Sequence, residues 1–85
     1  MVEIEILTAP ACADCEVAKK RVYKVAEYVR EKIPDLTVKI TDITEHPEAV
    51  VKYGILTTPA IAIDGVLQFT KVPKEEELLR KIEAR

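Results

Sequence analysis

Val2, Ile4 and Ile6 alternate with Glu3 and Glu5, the period-two pattern of a strand with one buried face. Thr8-Ala9-Pro10-Ala11 interrupts the pattern as a loop. A helical period then runs from about Ala13 to Lys32, with Cys15, Ala18, Val22, Val25, Ala26 and Val29 forming an apolar stripe at steps of three and four. Pro34 stops this helix, because the residue before a proline is pushed out of helical geometry. Leu36, Val38 and Ile40 alternate within a second strand, Leu36 to Ile43. His46-Pro47 opens a short helix whose first turn tolerates the missing proline N–H, and Gly54 suits the left-handed position that closes it. Pro59 to Ile63 reads as a third strand, Asp64-Gly65 as a hairpin turn and Val66 to Thr70 as a fourth strand. Pro73 opens a last helix with Leu78, Leu79 and Ile82 on its core face.

The order is βαβαββα. A leading βαβ unit predicts two parallel strands, and the closing hairpin adds an antiparallel pair. The expected architecture is α/β: a four-stranded mixed sheet with helices on both faces, as one domain over residues 1–85. A chain of 85 residues buries a modest core, and 48% apolar with 33% charged residues is an ordinary globular balance. The net charge of −2 argues against nucleic acid as a partner, since phosphate binding needs a concentrated basic surface. Lys19-Lys20-Arg21 is read as a solvated helix face. The start of the chain lacks a basic segment followed by a sustained apolar run, and no stretch has the length of a membrane span, so the expectation is a cytoplasmic protein without signal peptide or membrane contact. Asn, Ser and Trp are absent, Gln and Met occur once each, and Lys, Glu and Arg are plentiful, a thermophile-like balance of ion-pair formers over labile side chains.

The two cysteines are three residues apart, a spacing that chance gives about one time in forty in a chain of this length. In a reducing compartment such a pair suggests redox or metal chemistry. Cys12 falls where the first strand has ended and the first helix begins, so unpaired N–H groups and the positive end of the helix dipole favour its thiolate. Cys15 lies one turn on, on the apolar stripe. An exposed attacking sulfur and a shielded resolving sulfur are thereby predicted: Cys12 as nucleophile, Cys15 as the thiol that completes exchange. Asp14 and Glu16 oppose the dipole and disfavour further negative charge, tilting the pair toward a reductant. A bridge that only stiffens the fold is the competing reading, though a loop this short restrains the unfolded chain little. Zinc needs four ligands, which one chain supplies poorly and a dimer sharing four thiolates could supply.

Taken with Asp42, His46-Pro47-Glu48, Tyr53-Gly54-Ile55, Thr58-Pro59 and Asp64-Gly65, the Cys12-Ala13-Asp14-Cys15 motif resembles the thioredoxin-like superfamily over essentially the whole chain, in particular the small, glutaredoxin-sized thioredoxins of archaea. The resemblance implies a thiol–disulfide oxidoreductase without bound cofactor or metal, a cis Pro59 beside the cysteines and backbone pairing of Thr58 with an extended substrate. It implies disulfide-containing protein substrates and a monomer. Three positions depart from the pattern. Ala11 stands where thioredoxins usually have Trp, and Ile6 where they place a buried Asp. Lys71-Val72-Pro73-Lys74-Glu75 replaces the Gly-Gly and Asp with which glutaredoxins hold glutathione. Reduction by a thioredoxin-reductase-like flavoprotein is therefore expected rather than by glutathione. The alternative function is a redox- or metal-sensing binding module on the same scaffold. Among other residues, His46 is expected to cap the second helix and Lys19 to point to solvent. Tyr23 and Tyr28 are assigned to the helix surface. Ile55, Leu56 and Ala60 are expected to surround the cysteines, either as core or as a docking patch.

Overall fold

The computed structural model describes residues 2–84; the outermost positions of the expected 1–85 unit, Met1 and Arg85, lie outside the described residues. The chain runs β1 (Glu3–Thr8), α1 (Ala13–Val29), β2 (Thr37–Asp42), α2 (Glu48–Tyr53), β3 (Ala60–Ile63), β4 (Val66–Phe69) and α3 (Glu75–Ala84), the order the sequence predicts. The sheet order is β2-β1-β3-β4. β1 and β2 are parallel, with Ile6 opposite Ile40 and Thr8 opposite Asp42, while β1–β3 and β3–β4 are antiparallel. Gln68 is the extra residue where the β3–β4 register slips between Ile61 and Ala62, a bulge on the edge strand.

Each sheet face has its own core. Val2, Ile4, Ile6, Ile61 and Ile63 pack with Val22, Val25, Ala26 and Val29 of α1 and with Leu78 and Ile82 of α3. Leu7 and Ala60 turn to the other face, where they meet Ala49 of α2 and Ile55. Arg21 fastens α1 to the segment before α3 by donating to the Pro73 carbonyl at 2.9 Å, and Lys24 pairs with Glu75 at 3.1 Å. The Asp64-Gly65 turn has φ of 51° and 81°, the two positive values of a type I′ hairpin.

Several boundaries differ from the sequence reading. α1 ends at Val29 rather than near Lys32, and the chain leaves through turns in which the Lys32 and Ile33 N–H groups both bond to the Val29 carbonyl. β2 is shorter than Leu36–Ile43, starting at Thr37 and ending at Asp42. There Asp42 Oδ1 accepts from the Thr44 N–H and hydroxyl, turning the chain toward α2. β3 begins at Ala60, after Pro59, which has no N–H for the ladder, and β4 ends at Phe69. α3 begins at Glu75, two residues beyond Pro73. His46 does not cap α2 with its side chain. Its carbonyl takes the Ala49 N–H at 3.0 Å, Pro47 holds the N-cap position, and the imidazole lies 3.3 Å from Glu48.

Candidate active site

Cys12 is the N-cap of α1. Its backbone is extended (φ −111°, ψ 99°), and its Sγ accepts the Cys15 N–H at 3.1 Å, the bond an oxygen usually supplies at a helix start. A short helix-leading loop makes this possible: Ala11, at φ 55°, takes the left-handed conformation that turns the chain from β1 into α1. The two sulfurs are bonded in the structure, with Cα atoms 5.2 Å apart. Cys15 is only 1% exposed, as the stripe predicts, whereas Cys12, expected to be exposed, is half-buried.

The Thr58–Pro59 peptide is cis, as the resemblance implies. Pro59 is buried and Thr58 half-buried. The Thr58 hydroxyl donates toward Cys12 Sγ at 3.8 Å, so a segment 46 residues away in the chain meets the Cys12 sulfur. Two donors thus converge on one sulfur from different elements. Asp14 and Glu16 occupy the first turn of α1, exposed. Glu16 pairs with Lys19 at 2.6 Å, so the Lys19 ammonium ends in a surface ion pair, while Asp14 stands two residues from Cys12. Ile55 and Ala60 belong to the core, whereas Leu56 is 98% exposed. Tyr23 and Tyr28 lie on the outer face of α1.

Alternation along β1 predicts Glu5 on a polar face; the structure buries it to 7% exposure. It faces α2. Glu5 Oε2 accepts from the Thr41 hydroxyl at 2.6 Å and Oε1 from the Tyr53 hydroxyl at 2.5 Å, with Lys39 Nζ at 4.0 Å. Burial works to raise the Glu5 pKa, but the bonds from Thr41 and Tyr53, with the nearby Lys39 and Lys52, outweigh it and hold the carboxyl below its usual 4.5. Burial and the same carboxylate push Tyr53 up to about 12. Because β1 alternates, Glu5 lies on the opposite sheet face from Ile6, and Ile6 packs on the α1 side. Glu5 is therefore not the missing base at the usual Asp position.

Among the described residues, no three His, Cys, Asp or Glu side chains gather as a metal site, and no helix is long and apolar enough to cross a membrane. A cleft of about 210 Å³ beside Glu5 and Tyr53 and another of about 260 Å³ beside Tyr28 and Leu79 are lined by neither cysteine.

Comparison with known proteins agrees with this geometry. The family model of the thioredoxin domain matches residues 2–83. The chain is 35% identical over 85 residues to a thioredoxin of Methanocaldococcus jannaschii, covering 99% of this chain and 95% of that one. It is 37% identical over 82 residues to a probable thioredoxin of Methanothermobacter thermautotrophicus, covering 96% and 93%. Among solved structures, a protein disulfide oxidoreductase of Aeropyrum pernix K1 superposes with a TM-score of 0.77 at 31% identity, over 96% of this chain and 36% of that one. With the family model and the archaeal relatives matching nearly the whole chain, this thiol–disulfide oxidoreductase belongs to the thioredoxin family.

Proposed function

We propose that the chain reduces disulfides in protein substrates, with Cys12 as nucleophile and Cys15 as resolving thiol. The observation that carries this is the Cys15 N–H donating to Cys12 Sγ at the start of α1. In the reduced protein that bond and the Thr58 hydroxyl favour the Cys12 thiolate. The thiolate attacks one sulfur of the substrate disulfide, forms the Cys12–substrate mixed disulfide and expels a substrate thiolate, which takes up a proton. Cys15 then loses its proton and attacks Cys12 Sγ, expelling the second substrate thiolate. Two electrons have passed from the dithiol to the substrate, and the Cys12–Cys15 disulfide remains.

The backbone of Thr58, ahead of cis Pro59, serves as the strip against which an extended substrate lies. Asp14 holds down the negative charge that can gather on Cys12, and Glu16 does so less because Lys19 neutralises it. A milder thiolate leaves the reduced form less stabilised and makes the pair a reductant. Recharging comes from a thioredoxin-reductase-like flavoprotein. Glutathione is a poor fit, because the Lys71-to-Glu75 segment has no Gly-Gly and its Pro73 carbonyl is taken by Arg21. We place the protein in the cytoplasm as a monomer of one domain.

Insulin reduction with dithiothreitol as donor tests the reading. Wild-type protein should accelerate B-chain precipitation well above the dithiothreitol background. Cys12→Ser should abolish the acceleration, while Cys15→Ser should accumulate a mixed disulfide visible by non-reducing mass spectrometry. A wild-type rate equal to background would refute general reductase activity.

A further inference from the structure

We propose that Leu56 is a specificity determinant for protein substrates, an apolar anchor that takes a hydrophobic side chain lying within a few residues of the substrate's reactive cysteine. The inference deepens the reductase reading and rests on it. Ile55 is buried in the α2-side core, whereas Leu56 beside it is 98% exposed, so the fold makes no use of this side chain. A polar residue would serve folding equally well at this position.

Its place relative to the sulfur is fixed by the chain. Thr58 reaches Cys12 Sγ at 3.8 Å, and Leu56 is two residues earlier, its Cα within about 7.6 Å of the Thr58 Cα. A protein partner that covers about 800 Å² spans a disc of about 16 Å radius. Leu56 therefore lies within the footprint of a protein centred on Cys12. A small disulfide does not cover it, because it occupies only the space next to the sulfur. The clefts beside Tyr53 and beside Tyr28 do not include the cysteines, so concave burial of a small ligand is not what those hollows offer to the reacting sulfur.

The remaining rim narrows the partner. Pro10, Ala11 and Ala13 are exposed, short and apolar around Cys12, while Asp14 is an exposed carboxylate. The occupant is thus an extended polypeptide segment with an apolar residue near its cysteine and without clustered acidic side chains. Thr58 contributes backbone pairing, which is blind to side chains; Leu56 supplies the side-chain selection.

The test uses fully reduced wild type, Leu56→Ser and Leu56→Met. Each is mixed with insulin or with bis(2-hydroxyethyl) disulfide, and second-order rate constants are measured by acid quench and alkylation of remaining thiols. The insulin-to-small-disulfide ratio should fall about tenfold in Leu56→Ser, the effect of withdrawing one buried leucine from an interface. Leu56→Met should keep the wild-type ratio. Equal ratios in all three proteins would overturn the inference while leaving the reductase reading intact. So would a concentration-dependent dimer of the wild type that Leu56→Ser abolishes, since Leu56 would then be covered by a second copy. Wild type that reacts with neither disulfide would overturn the reductase reading and this inference together.

Discussion

At the scale of single residues, the Cys12 sulfur is governed by two donors of unequal kind. The Cys15 N–H belongs to the backbone and survives every substitution of its side chain except proline, whereas the Thr58 hydroxyl goes with its side chain. Hydrogen bonds to charged groups contribute about 1.5–3 kcal/mol at good geometry, and a 3.8 Å contact to sulfur belongs at or below the lower end. Thr58→Val should therefore raise the Cys12 pKa by up to about one unit, read from thiolate absorbance across a pH titration of the reduced protein. An unchanged titration would show that the hydroxyl serves packing alone. Glu5 makes a second residue-scale prediction. Its folded pKa is depressed, so the unfolded chain binds more protons than the folded one between the two values. Its contribution to stability is present above the usual 4.5 and is lost as pH falls through the folded value. Tyr53, raised to about 12, has the opposite window: its contribution is complete below 10 and is lost as pH rises toward 12. Tyr53→Phe should flatten the alkaline limb and weaken the acid one, at a cost of about 1 kcal/mol near neutrality, measured by urea unfolding at several pH values. Glu5 was illegible in the sequence because alternation in β1 distinguishes two faces without saying that both are covered. Tyr53 and Thr41, 48 and 36 residues away, become its partners only through the topology.

At the scale of elements, the signals that proved reliable were those with a local physical cause. Gly54 takes φ 63° and closes α2, and the Asp64-Gly65 pair makes its turn, because few residues other than glycine take such angles without strain. The strand–helix junction at Cys12 was legible for the same reason: the apolar stripe of α1 begins immediately behind it. What the sequence leaves open depends on neighbours. Ile40 continues the alternation of Leu36 and Val38, yet it is 43% exposed, because β2 is an edge strand and its far end lies beyond the core packing of α1 and α3. Leu56 likewise has an apolar identity that gives no clue to its exposure. Gly54 also yields a clean prediction. A Cβ built there meets nothing within 4 Å, so the only penalty of Gly54→Ala is conformational. The substitution should cost about 1 kcal/mol, seen as a lower urea midpoint with an unchanged slope. A loss of several kcal/mol would mean that the Ile55-to-Pro59 segment and its contact with Cys12 had moved as well.

At the scale of the molecule, redox chemistry and stability are two sides of one cycle. Oxidising the folded protein and unfolding it gives the same end state as unfolding it and then oxidising the open chain. The difference in stability between the oxidised and reduced forms therefore equals the difference in potential between the folded and unfolded dithiol, about 1.4 kcal/mol for every 30 mV. A strong oxidant near about −120 mV has a reduced form that is the more stable, because its thiolate is held by the fold. Here Asp14 and Glu16 share the first turn of α1 with Cys12, and thiolate stabilisation rests on one backbone N–H and one long hydroxyl contact. The folded couple should fall below about −200 mV, on the reductant side. The oxidised protein should then resist urea better than the dithiol form, by an amount set by how far the folded potential lies below that of the unfolded dithiol. The composition, poor in labile side chains and rich in ion-pair formers, adds that the oxidised form should melt above about 65 °C, past the ordinary mesophile range. Titration against glutathione and dithiothreitol, without urea and in unfolding urea, gives the two potentials; paired urea curves give the stability difference. A reduced form more stable than the oxidised one would reverse the direction of electron flow assigned to Cys12 and Cys15 and make the protein a donor of disulfides instead.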